Sequence, residues 1–101
     1  MITSTNYWIN RLKKGLEDNS GKIPYTLCDE ILAATDTKVT HSQITPNTRV
    51  CVITLPTGHD LVGYAQVLDS KNDVELVGQE VAYKNAAEKV WQTLGNIAKV
   101  L

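Results

Sequence analysis

The sequence predicts a small α+β domain, with about three antiparallel strands packed against a long C-terminal helix and one or two helices ahead of the sheet. Three observations carry this reading. From Tyr83 to Leu101 apolar residues recur at spacings of mostly three and four, the period of a helix with one buried stripe. Between Lys38 and Leu68 the period changes to two, with turn residues at Pro46-Asn47 and at Pro56-Thr57-Gly58. Helical spacing also occupies two shorter stretches before Lys38, each with a start or stop signal.

The chain has 101 residues, which suits one domain with one hydrophobic core, residues 1–37 forming its helical N-terminal part and 38–101 its sheet and last helix. Apolar residues make up 43%, enough to exclude wholesale disorder. Ten Lys and Arg against eleven Asp and Glu give a net charge of −1, so no basic excess points to a nucleic-acid polymer. Met1 to Trp8 lacks the charged start and apolar run of a signal peptide, and no window reaches the roughly 18 apolar residues of a membrane span. A cytoplasmic protein is expected. Cys28 and Cys51 stand singly in apolar surroundings, without a C-x-x-C motif, and read as buried free thiols in a reducing compartment.

Ser4 or Thr5 can cap a first helix that runs to about Asn19, with Tyr7, Trp8, Leu12 and Leu16 on its apolar side and Ser20-Gly21 ending it. Pro24 holds Ile23 extended, and Thr26-Leu-Cys-Asp29 resembles a capping box that opens a short helix to about Ala34. Val39–Ile44 alternates weakly. Arg49–Leu55 is apolar on both faces and belongs in the middle of the sheet. Gly58 supplies the positive φ of the next turn, and Asp60–Leu68 returns as a strand. On that strand Gly63 and Ala65 leave room for a helix lying across their face.

Asn72 or Asp73 can cap the last helix, whose acidic start and Lys99 suit the helix dipole. Unbroken from Asp73 to Leu101 it would be about 43 Å long, too long for a compact chain of this size. It must therefore break, Gly95 being the obvious place, or project towards another subunit. Tyr83, Ala87, Val90, Trp91, Leu94, Ile97, Ala98 and Leu101 form its core stripe, while Gly78, Ala82, Asn85 and Lys89 form a second, small-residue side suited to a partner, protomer or ligand.

Catalytic motifs are absent. His41 and His59 have no local nucleophile arrangement, the six glycines form no phosphate loop, and Asp29-Glu30 and Asp73-x-Glu75 stand where helix dipoles account for them. No metal or cofactor is expected. Arg49 heads the most apolar strand, where its guanidinium either forks onto a phosphate or carboxylate or stands in solvent.

Thr48-Arg-Val-Cys-Val-Ile-Thr-Leu55, Thr57-Gly58, Val62-Gly63, Asp69 and Asn72 lead into Gly78-x-x-x-Ala82-Tyr83-x-Asn85-Ala86-x-x-Lys89-Val90-Trp91 and Gly95. This order resembles the family of small phage proteins named after podophage gene products 49 and 66, over roughly residues 44 to 98. The phage Thoeris anti-defence sponges are similar in plan. They are oligomers that sequester cyclic nucleotide-derived immune signals without cleaving them. The resemblance implies a non-enzymatic phage protein of the host cytoplasm, a homo-oligomer through its C-terminal helix, holding a small nucleotide signal. The other reading is a module that inhibits a host enzyme or defence complex by direct contact. Transferred by residue, the motif makes Asn85 a ligand contact and Arg49 an anion contact, with Lys89 and Tyr83 completing the set; Tyr64, Tyr83 or Tyr25 would take over as the stacking ring that the loop before the helix lacks. Ser70 and Asp73 stand where the family pattern has Pro and Phe, and Thr57 replaces the turn Asn.

Overall fold

The computed structural model describes residues 4–67, 71 and 73–101. Its helices and strands are α1 (Ser4–Asp18), α2 (Tyr25–Leu32), β1 (Lys38–Thr45), β2 (Thr48–Thr54), β3 (Asp60–Gln66), α3 (Glu75–Ala87) and α4 (Val90–Ala98). The fold is α+β as predicted, with one antiparallel sheet in the order β1-β2-β3 and β2 at its centre. One helix, α3, lies across β2 and β3, and α1, α2 and α4 pack together beyond it.

The first helix buries Trp8 and Leu12, four residues apart, with Ile9 and Leu16 packed beside them. It ends where Ser20 takes a φ of 56° and the Gly21 amide donates to the Leu16 carbonyl at 2.7 Å, a Schellman closure with serine in the left-handed place. Thr5 lies inside α1 and its hydroxyl donates to the Pro56 carbonyl at 2.8 Å, tying the helix to the β2–β3 turn; the side chain of Ser4 lies outside the described residues. The second helix starts two residues earlier than the expected capping box, whose N-cap would be Thr26. Pro24 sits at its N-cap with no side-chain cap, because the fixed φ of proline (−71° here) already aims the chain into the first turn. Leu27, Cys28 and Ile31 are its buried face.

The sheet has one covered face. Cys51, Ile53, Leu61 and Gly63 point at the helical layer and are buried, whereas Val50, Val52 and Val62 on the other face are half-buried and Tyr64 is exposed. Gly63 determines how the two layers meet. A Cβ placed there would stand 2.2 Å from both the Ala82 carbonyl oxygen and the Ala86 nitrogen, so strand and helix backbones touch directly. Ala82 and Ala86 are fully buried over it.

This reverses the expected faces of α3. Its small-residue side packs on the chain's own sheet, and Tyr83 and Ala87 are only partly buried beside the core. In α4 Val90, Leu94 and Ile97 of the predicted stripe are buried and Ala98 partly so, but Trp91 is half-exposed, as is Leu101 beyond the helix end. The helix does break, at Glu88–Lys89 and not at Gly95, which lies within α4. The Lys89 amide there bonds back three residues to Ala86. That tightened turn redirects the chain from the sheet to α1 and α2. No Gly or Pro marks the place, because the bend follows from two separate burial demands. The N-cap of α3 is Val74 and the carboxylate of Asp73 is engaged with Arg49 instead; Asn72, the other expected cap, lies outside the described residues, as does Leu68.

Candidate functional site

Three of the four residues transferred by resemblance have partners within the chain. Asn85 donates from its amide to the Tyr64 carbonyl at 2.7 Å, and the Lys89 ammonium donates to the Val62 carbonyl. Four helix residues rise about 6.0 Å and two strand residues about 6.7 Å, so an Asn and a Lys four apart reach successive outward carbonyls of β3. The pair closes the β3 edge of the sheet. Asn85→Leu returns one solvent-exposed carbonyl to water and is expected to cost about 1 kcal/mol, measured by urea unfolding. A loss of binding without this small stability change would instead give Asn85 a ligand.

Arg49 forks onto a carboxylate of its own chain. Its Nε donates to Asp73 Oδ1 at 2.9 Å and its Nη2 to Oδ2 at 2.5 Å, with only 13% and 16% of the two side chains exposed. Gly78 makes this possible, since a Cβ there would stand 2.6 Å from the Arg49 Cδ. The guanidinium's hydrogen bond holds the Asp73 carboxyl below its ordinary range, and the same bond raises the Arg49 pKa. A depressed carboxylate pKa stabilises the fold above the ordinary value and ceases to do so as pH falls through the lowered one. Asp73→Asn is therefore expected to be less stable than the parent at neutral pH and to converge with it in acid. Unfolding midpoints followed from neutral pH downwards check this, and parallel curves would contradict it. Asp73, standing where the family pattern has an aromatic, thus supplies a tether between the start of α3 and β2.

A more voluminous concave surface lies elsewhere. A cleft of about 1030 Å³ opens between the α1–α2 connection and α4. Ile23, Pro24, Gly95 and Ala98 form an apolar floor, Tyr25 and Trp91 an aromatic wall, and Lys22 and Lys99 stand among its lining residues. The two rings are stacked with centroids 6.5 Å apart and planes 28° from parallel, and they remain 75% and 49% exposed. Trp91 is held in place because its indole N–H donates to the Ile23 carbonyl at 3.3 Å. Gly95 keeps the floor low, the nearest atom to a Cβ there being Ile23 Cδ1 at 3.8 Å. Among the described residues neither Lys22 nor Lys99 has an acidic partner.

Sequence reasoning did not bring these residues together, because 66 positions separate Tyr25 from Trp91 (91 − 25). A signal did exist: Trp91 falls one position off the Val90–Leu94–Ile97 stripe, too far round the helix to be central in the core. Tyr83, the fourth transferred residue, is half-buried on α3 and is not among the residues lining this cleft. Cys28 and Cys51 are free and buried, and burial pushes both thiols up. Among the described residues no three His, Cys, Asp or Glu side chains group as metal ligands, and no helix is long and apolar enough to cross a membrane.

No curated protein and no solved structure matches the chain. A family model does match, over residues 18–100, reaching well into the helical N-terminal part that the resemblance left uncovered. It takes in both aromatic residues of the cleft, the Arg49–Asp73 pair and the Asn85–Lys89 edge closure. With most of its length matched, this chain belongs to the phage protein (N4 Gp49/phage Sf6 gene 66) family.

Proposed function

We propose that this phage protein acts in the host cytoplasm as a non-enzymatic sponge for a small, cyclic nucleotide-derived immune signal, held in the cleft between the α1–α2 connection and α4. The observation that carries this reading is the exposed Tyr25–Trp91 pair in a cleft also lined by two lysines that have no acidic partner among the described residues. A base stacks on such rings whatever its edge pattern, each contact being worth about 1–3 kcal/mol. The ammonium groups of Lys22 and Lys99 complement phosphate charge. The cleft has the size and apolar lining of a small-molecule site. Arg49 supports the site indirectly in this reading, by anchoring the start of α3, whereas Asn85 and Lys89 close the β3 edge and stand outside the site.

Sequestration is tested by incubating the protein with cyclic ADP-ribose isomers and cyclic di- and trinucleotides, removing free ligand, denaturing the complex and identifying what is released. An unaltered nucleotide recovered in stoichiometric amount is the expected result. Absence of retention by a folded sample overturns the proposal, and recovery of a chemically changed nucleotide replaces it with an enzymatic one. A direct inhibitor of a host protein is the second reading, favoured by the exposed aliphatic side chains of Leu76, Val77 and Val81 on α3. It predicts one stoichiometric host protein in a pull-down, lost when Val77 and Val81 are made polar and unaffected by Trp91→Ala.

A further inference from the structure

The two edges of the sheet are treated differently. On β3, Asn85 and Lys89 occupy the outward carbonyls of Tyr64 and Val62. Since an antiparallel residue sends its N–H and C=O to the same side, the odd-numbered residues of β3 and their partners Ile53 and Cys51 bond to each other. The even-numbered residues of β2 then bond to Lys38, Thr40 and Ser42, and Val39, His41 and Gln43 turn their backbone groups outward from β1. Among the described residues no side chain closes this edge as Asn85 and Lys89 close β3. All eight residues of β1 are exposed, and the strand contains no proline and one charged residue, Lys38. Its one irregularity lies at Gln43–Thr45, beside the turn. Long open edges of this kind pair with another strand unless blocked.

We infer that β1 is the self-association edge of this protein, and that two copies join β1 to β1 antiparallel into one continuous six-stranded sheet. A two-fold axis through His41 sets Val39 of each copy opposite Gln43 of the other and uses all three outward residues. Registers centred elsewhere lose one of these pairs. The same axis keeps the two Lys38 ammonium groups about 20 Å apart along the strands, at ~3.4 Å per residue, so no charge repulsion opposes pairing. The surface area is consistent with a missing partner. The chain exposes 6736 Å² for its 11.1 kDa, against about 5650 Å² for a compact monomer of that mass. The excess, roughly 1100 Å², is on the scale of the ~800 Å² that each side contributes to a standard interface. The radius of gyration, 15.6 Å, likewise exceeds the ~13 Å of a compact chain of this length. This inference is independent of the nucleotide cleft, which lies on the α1, α2 and α4 helices.

Sedimentation equilibrium at micromolar concentration tests it. The wild-type chain is expected at about 22 kDa, twice its 11.1 kDa. His41→Pro removes one outward amide without touching a β1–β2 bond and is expected at the monomer mass with an unchanged circular dichroism spectrum. Val39→Lys, which adds a charge at the edge and leaves every backbone group in place, is expected to weaken the dimer as well; it decides the matter if the proline variant misfolds. A wild-type monomer overturns the inference, as does a dimer that survives both substitutions. A chain that stays monomeric alone yet takes up a foreign β-strand peptide gives the edge to a different occupant and also overturns it.

Discussion

Gly63→Ala is expected to abolish the native packing of α3 or to cost about 3 kcal/mol or more, the upper end for overpacking a core. The added carbon would stand 2.2 Å from two backbone atoms of the helix and 2.9 Å from a third, the Ala86 Cα. Backbone cannot rotate away as a side chain can. The helix would have to lift off β3, separating Ala82 and Ala86 from the sheet and drawing Asn85 and Lys89 away from the edge they close. Gly78→Ala makes an instructive contrast. Its added carbon meets the flexible Arg49 side chain at 2.6 Å, so the expected cost is the displaced Arg49–Asp73 pair rather than the layer contact. Denaturant unfolding of the two variants checks the order. A Gly63→Ala protein within about 1 kcal/mol of the parent would mean that α3 does not sit on β3 in this way.

Trp91→Ala is expected to lower affinity for the retained nucleotide by roughly tenfold to a hundredfold, the equivalent of one or two lost stacking contacts. The fold should survive, because the ring is half-exposed and the core positions of α4 are Val90, Leu94 and Ile97. Trp91→Phe keeps a stacking face but loses the hydrogen bond to Ile23, and should fall between the two. Asn85→Leu serves as the control, with binding unchanged. Isothermal titration with whichever nucleotide the retention assay identifies gives the comparison. Equal affinity of Trp91→Ala and the parent would move the ligand out of the cleft, and a loss with Asn85→Leu would return it to the helix face transferred by resemblance.

Much of the architecture was legible before the structure. The change of period at Lys38, the Pro46-Asn47 and Pro56–Gly58 turns and the apolar Arg49–Leu55 run identify the three strands and the central one, because turn chemistry and alternation are local properties. Gly58 has the positive φ expected of it, 91°. Gly63 and Ala65 correctly announced a helix over their strand. Helix starts were read less well. Thr26 and Asp73 are both good capping residues by type, yet proline geometry opens α2 and an ion pair claims Asp73.

The functional reading failed to see two kinds of relation. An Asn and a Lys four apart on a helix carry no label saying whether they face a ligand or a strand edge; the match of about 6 Å between helix and strand repeats decides it, and that match exists only once the layers are stacked. The aromatic cleft likewise depends on a bend at Glu88–Lys89 that no residue type announces.

The strand and helix periods, the turns, the approach site at Gly63 and the membership of a phage protein family all reside in short stretches of sequence. Each depends on neighbours a few positions away, so residue types and spacing suffice. Which side of α3 is buried, where the long helix turns, that Arg49 answers Asp73 and that Tyr25 meets Trp91 belong to the packed chain. These depend on which surfaces are left to cover once β3 has taken the small-residue face. Burial is shared among elements far apart in sequence, and it allocated α3 to the sheet and α4 to the helices.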